Sequence, residues 1–145
     1  MITHTAGTLN LASVLEHQAV LVPGRTALTC GDLNITYAQL NARASQIAAG
    51  LVALGIEPGD HVALSCPNLP WFPMAYYGIL KAGAVVVPLN VLLKPREIAY
   101  HLRDSDAKAL LVFEGTPELP MAQMARAGCD EAQCRHLVVM TINPA

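Results

Sequence analysis

The stretch Leu80 to Asn90, LKAGAVVVPLN, constrains the fold more than any other part of this chain. Leu80 and Lys81 read as the end of a helix. Ala82-Gly83 makes the turn, with Gly83 supplying the left-handed position just past the helix. Ala84 to Val87 is uncharged, continuous and mostly β-branched, the pattern of a strand covered on both faces. Pro88 stops the ladder and Asn90 opens a loop. A strand of this kind needs helices on either side of it, and the flanking sequence offers them.

Composition raises a membrane span as the first alternative. Hydrophobic residues make up 53% of the 145 and charged residues 14%, where soluble domains carry about 25% charged residues. Between Val62 and Leu93 the only formal charge is Lys81. A spanning helix needs roughly 20 mainly apolar residues, and Pro67, Asn68, Pro70, Pro73, Gly83 and Pro88 break this window. The reading is therefore no transmembrane segment: the plain alternative is a buried α/β core, and the sharper one is a piece that packs against further protein. Net charge is −2 with no basic run, so the clustered cations of a nucleic-acid binder are missing. No basic segment followed by an apolar one opens the chain, so no secretory signal is read. Cys30 and Cys66 lie in apolar strand-like runs and read as buried free thiols. Cys129, Cys134 and His136 fall short of the four ligands of a structural zinc site, so no metal ligands are assigned. A reducing cytoplasm is the expected compartment.

Taken in order, residues 1–8 are polar and expected to fray. Asn10 to Val20 reads as a short helix with Asn10 as N-cap and Leu11, Val14, Leu15 and Val22 as a loose apolar stripe. Pro23-Gly24 is a turn. Ala27 to Cys30 and Leu33 to Thr36 flank Gly31-Asp32 as a β-hairpin. Thr36 and Gln39 form a T-x-x-Q capping box, and Leu40, Ala44, Ile47, Leu51 and Leu54 give the helix that follows one apolar face. Gly55 ends that helix, and a close backbone contact is expected at Gly50 inside it, where glycine costs about 1 kcal/mol against alanine. His61 to Cys66 is a strand. Asn68 is expected to cap a helix running to Lys81. After the strand at 84–88, Pro95 starts a helix ending near Ser105-Asp106, Ala109 to Phe113 is a strand, Pro117 to Ala127 is a helix closed by Gly128, and Leu137 to Met140 is a strand. This alternation predicts an α/β fold: a mostly parallel sheet with helices on both faces, plus an N-terminal hairpin.

The residues alone show no catalytic constellation. Neither phosphate-cradling glycine motif is present, and no serine stands in a G-x-S-x-G elbow. His61 and His101 read as surface or packed residues, and Asp104 and Asp106 as a solvated helix end. Trp71, Phe72, Tyr76 and Tyr77 crowd one helix, as core or as a ligand-facing wall.

Four segments nevertheless have a familiar form. ITYAQL (Ile35 to Leu40) resembles the first signature motif of adenylate-forming, AMP-binding enzymes, and LKAGAVVVPLN resembles the second. LGIEPGDHVALSCPN between them is similar to the family's segment at Leu54, Gly59, Asp60, Val62, Ala63 and Asn68. LLKPREIAYHLRDSDAKALLV resembles the helix and strand that follow in acyl-CoA ligases. The resemblance runs from about Leu11 to Val139, and the style of NVLLKPREIAYHL is closest to bacterial fatty-acid or medium-chain ligases.

That resemblance implies an enzyme that activates a carboxylic acid with ATP and Mg2+ to an acyl adenylate and passes the acyl group to coenzyme A. It implies that residues 1–145 are an incomplete N-terminal portion, because the family's phosphate loop, adenine-site motif, ribose-binding aspartate and C-terminal lysine have no counterpart here. The chain is then expected to be inactive and cofactor-free by itself, and to pack against the remainder of a ligase or a second copy. The resemblance assigns no catalytic residue. It brings Asn90, Val91 and Leu92 towards the coenzyme A nucleotide, mainly through backbone. Lys94 stands where relatives have Ser or Thr before the proline, which weakens the expected cap of the next helix. The competing readings are a self-sufficient α/β binding or interaction module without catalysis, and a flavodoxin-like nucleotide binder, for which Ser65-Cys66-Pro67-Asn68 is a poor phosphate loop.

Overall fold

A computed structural model describes residues 9–142; the expectations for residues 1–8 lie outside them. The elements run α1 (Ala12–Leu21), β1 (Thr26–Cys30), β2 (Leu33–Thr36), α2 (Tyr37–Ala53), β3 (His61–Ser65), α3 (Trp71–Lys81), β4 (Val85–Pro88), α4 (Pro95–Asp104), β5 (Ala109–Phe113), α5 (Met121–Ala132) and β6 (His136–Met140). β1 and β2 form an antiparallel hairpin, and β4-β3-β5-β6 form a parallel four-stranded sheet in that order.

The sheet carries a helix pair on each face. Alternation along β5 decides which residues meet which pair, since successive side chains of a strand point to opposite sides. Leu111 shares a groove with Ile47 and Leu51 of α2 and Trp71 of α3. Leu110 and Val112 close onto Ile98 of α4 and Met121, Met124 and Ala125 of α5. Each pair is drawn together at a glycine. A Cβ on Gly78 would lie 2.7 Å from the Ile47 side chain, and one on Gly128 would lie 2.7 Å from that of Ile98.

Local chemistry explains the boundaries. Thr36 Oγ1 accepts from Gln39 N at 3.3 Å and Gln39 Oε1 accepts from Thr36 N at 2.9 Å, the reciprocal cap expected for α2. Asn10 Oδ1 accepts from Ala12 N at 2.9 Å, and its Nδ2 donates to Leu80 O at 2.7 Å, tying α1 to the end of α3. Lys94 N donates to Glu97 Oε2 at 2.7 Å. Lysine has no acceptor with which to return the bond, so α4 keeps only the glutamate half of a capping box.

The four helices that lead into sheet strands end alike. Gly55, Gly83, Asp106 and Gln133 have left-handed backbone. The residue after each donates its N–H five residues back: Ile56 to Leu51 O, Ala84 to Ile79 O, Ala107 to Leu102 O and Cys134 to Cys129 O, all between 3.0 and 3.1 Å. This is the Schellman motif, which sets the side chains at the two ends of that bond against each other.

Several expectations change. In β4 Val85 is 44% exposed and Val86 and Val87 are only partly buried, so this apolar run is not covered on both faces; β4 is also an edge strand among the described residues. β3 and β5 are the strands flanked on both sides. α3 begins at Trp71 with Pro70 at its boundary and no side-chain cap, so Asn68 does not cap it. Pro73 sits in the first turn, where its missing N–H is not needed. Gly50 has nothing within 4 Å of where a Cβ would stand, so no close contact explains it. Leu54 is exposed rather than part of the buried face, and in α1 Leu11 and Val14 are exposed while Ala12 and Leu15 are buried. α5 runs through Gly128 to Ala132; that glycine packs instead of stopping the helix. Cys66 is buried as expected, but Cys30 is only partly so.

Candidate functional site

In an open parallel sheet, ligands bind outside the carboxyl ends of the strands, where the winding reverses. Here β3 connects to β4 on one side, and the chain crosses back to β5 on the other. The loops at that end are Cys66 to Pro70, Leu89 to Lys94 and Glu114 to Pro120.

The second of these holds the three residues singled out from sequence. Leu89 N donates to Leu64 O at 2.8 Å, which continues the β4 ladder one residue past Pro88. Asn90 then turns the chain: its Oδ1 accepts from Leu92 N at 2.9 Å, an Asx turn. Asn90 is exposed and Val91 partly buried; both border a tight cleft with Ser65, Leu93, Met121 and Met124. Leu92 is 62% exposed and lies outside that cleft. From Leu89 to Leu93 the loop thus presents backbone and one amide side chain, and its one ionisable group is the exposed Lys94 at its end. Ser65 is the buried polar residue at this end, and Cys66 beside it is pushed up to about 11 by burial, so its thiol stays protonated near neutrality.

The aromatics of α3 pack partly buried against the core, and Trp71 also borders the apolar groove. Phe72 stacks on Tyr76 with centroids 6.1 Å apart, and Tyr76 meets Tyr77 edge-on at 5.9 Å. Phe72 and Tyr76 pack on the main core, while Tyr77 packs with Leu15, Ile35, Leu40 and Met74. Ser105 O accepts from His61 Nδ1, which fixes that ring to the end of α4. Asp106 pairs with Lys108 at 2.8 Å; that hydrogen bond and the charge behind it hold the carboxyl below its usual range.

The amino ends of the strands carry a feature that the sequence reading set aside. Gly55, Glu57, Asp60, Arg103, Lys108, Arg135, His136 and Cys134 border an open polar cavity of about 610 Å3. Cys134 Sγ lies 3.6 Å from Ala107 O and 3.8 Å from His136 O. The neighbouring Cys129 thiol holds the Cys134 thiol below the ordinary range, and Cys134 in turn raises that of Cys129, which burial raises further. Among the described residues no three His, Cys, Asp or Glu side chains are grouped to hold a metal.

The residues present do not fit ATP with Mg2+. The three loops at the carboxyl end contain no glycine-rich run, and Lys94 is their only cation. What remains is an open parallel α/β layer with a shaped loop after its edge strand.

Comparison with known proteins places that layer. The AMP-binding enzyme family matches residues 15–144. The chain is 40% identical over 123 residues to the long-chain-fatty-acid–CoA ligase FadD13 of Mycobacterium tuberculosis, covering 83% of this chain and 24% of that protein. It is 34% identical over 142 residues to the medium/long-chain-fatty-acid–CoA/3-oxocholest-4-en-26-oate–CoA ligase of Mycobacterium marinum, covering 90% and 26%. The crystal structure of the N-terminal domain of FACL13 from Mycobacterium tuberculosis with inhibitor bound superposes with a TM-score of 0.79 at 34% identity, over 92% of this chain and 34% of that one. The chain belongs to the AMP-binding enzyme family. It spans about a quarter of the length of the curated relatives it matches.

Proposed function

We propose that residues 1–145 form part of the N-terminal AMP-binding domain of an acyl-CoA ligase of the reducing cytoplasm. In the whole enzyme a fatty or related carboxylic acid is activated with ATP and Mg2+ to an acyl adenylate and transferred to coenzyme A. This layer holds the scaffold, and the groups that handle ATP belong to the remainder of the ligase. The observation that carries the reading is the 40% identity to a fatty-acid–CoA ligase across 83% of the chain. It is supported by the loops at the carboxyl end of the sheet, which offer no phosphate cradle. In this proposal Asn90, Val91 and Leu92 approach the coenzyme A nucleotide through backbone, their shape set by the Asn90–Leu92 turn.

The rest of the ligase chain covers the apolar groove beside β5 and β6. Ile47, Leu51, Leu54, Trp71, Leu111 and Val138 line this groove, about 490 Å3 in volume, and an exposed apolar hollow of that kind marks a surface for further protein.

ATP–pyrophosphate exchange by the purified 145-residue chain, with fatty acids of several lengths, tests the reading. The expected result is no exchange above the protein-free rate. Acid-dependent exchange would place the reacting groups in this layer and sink the proposal.

A further inference from the structure

The Schellman ends of the four helices place a pair of side chains against each other before each strand of the sheet. In three the pair is apolar: Leu51 with Ile56, Ile79 with Ala84, and Leu102 with Ala107. In the fourth it is Cys129 with Cys134. The Cys134 N–H to Cys129 O bond of 3.0 Å fixes the backbone relation between the two residues, and the left-handed Gln133 folds the chain back so that their side chains share one patch. Disulfides need Cα atoms within about 7 Å and converging Cβ vectors, and the Schellman bond holds the two backbones together with both side chains on one patch.

Access is divided between the two thiols. Cys134 is partly buried and borders the open polar cavity, whereas Cys129 is 3% exposed beneath it. An oxidant in solvent reaches Cys134 first; Cys129 is reached only by Cys134. Arg103, Lys108 and Arg135 border the same cavity, as do the carboxylates Glu57, Asp60 and Asp106, so its charge is balanced and access rather than net charge singles out Cys134.

We infer that Cys129 and Cys134 form a redox-responsive thiol pair, with Cys134 the peroxide-reactive sulfur and Cys129 the resolving one. The Cys134 thiolate attacks a hydroperoxide: an S–O bond forms, the O–O bond breaks, and the departing oxygen takes a proton and leaves as water or an alcohol. Cys129 then loses its proton and attacks the Cys134 sulfur. The S–S bond forms, the S–O bond breaks, and water leaves. The dithiol is oxidised by two electrons and the peroxide is reduced by two. The bond pins the end of α5 to the start of β6 at the cavity wall. The Cys129 thiol beside Cys134, which holds the Cys134 thiol below the ordinary range, works in the same direction.

The test uses the 145-residue chain and dilute hydrogen peroxide, followed by an alkylating quench. Trypsin cutting after Arg126 and Arg135 releases a peptide, residues 127–135, that holds both cysteines and no other. The expected product is that peptide lacking two hydrogens and carrying no alkyl tag. The folded chain is expected to close the bond about tenfold or more faster than the urea-unfolded chain, because the cap holds the thiols together. In Cys134→Ser, Cys129 is expected to stay reduced at the same dose. Equal rates in the folded and unfolded chains, accumulation of Cys134 sulfinic acid without the internal bond, or pairing of Cys134 with another chain would each overturn the inference.

Discussion

The two faces of the sheet are built by the same device and finished differently. On one face α4 and α5 meet at Gly128 and seal Leu110 and Val112, leaving a cleft of about 10 Å3. On the other, α2 and α3 meet at Gly78, yet Leu111 and Val138 border an open apolar groove of about 490 Å3. A close helix crossing therefore does not by itself close a face. α3 lies over β3 and β4, and the described residues supply no second helix pair over β5 and β6 on that side. The contrast fits a layer whose sealed face is a core and whose open face awaits more protein.

The largest expected effect contrasts the two faces directly. Leu110→Ala removes a fully buried side chain on the sealed face and should cost about 2–5 kcal/mol in urea unfolding, within the range for buried leucines. Leu54→Ala on the groove rim, where the side chain is 39% exposed, should cost less than about 1 kcal/mol. Equal losses would mean that the groove is as much a core as the sealed face.

The helix crossings come next. Gly128→Ala and Gly78→Ala each force a Cβ to 2.7 Å from an isoleucine. Each should cost about 1–3 kcal/mol through overpacking, whereas Gly50→Ala, with nothing near its Cβ position, should gain about 1 kcal/mol from helix propensity. A stabilised Gly78→Ala would show that the α2–α3 crossing is slack. Thr36→Ala should lose about 1 kcal/mol with the α2 cap, measured by thermal unfolding.

The smallest expected effect is chemical. The buried Cys66 thiol, pushed up to about 11, should alkylate far more slowly at pH 8 than Cys134. Its linkage has a definite sign. Below the unfolded thiol's pKa both states are protonated and Cys66 adds no pH dependence. Between that value and about 11 the unfolded chain deprotonates first, so stability falls as pH rises. A stability that is flat across that window would remove desolvation as the cause.

The fold was largely legible because its punctuation is strong. Thr36 with Gln39, Gly55, Gly83 and Pro95 mark ends that the structure keeps. α5 was misjudged because its closing residue is Gln133, a left-handed non-glycine, whereas Gly128 looks like a stop and is a packing contact. The exposure of β4 was not legible because an apolar β-branched run reports a preference for burial, not what lies over each face. Asn90 and its loop are proposed through resemblance alone; no charge or pKa signal marks them. The Cys129–Cys134 pair carried a signal, an interval matching the Schellman bond, that becomes readable only once the helix end is known.

Calorimetric titration of Mg-ATP into the 145-residue chain addresses the central claim most directly, namely that this layer is scaffold and the nucleotide-handling groups are elsewhere. The account predicts heats of dilution only. A saturable heat with one nucleotide bound per chain would contradict it.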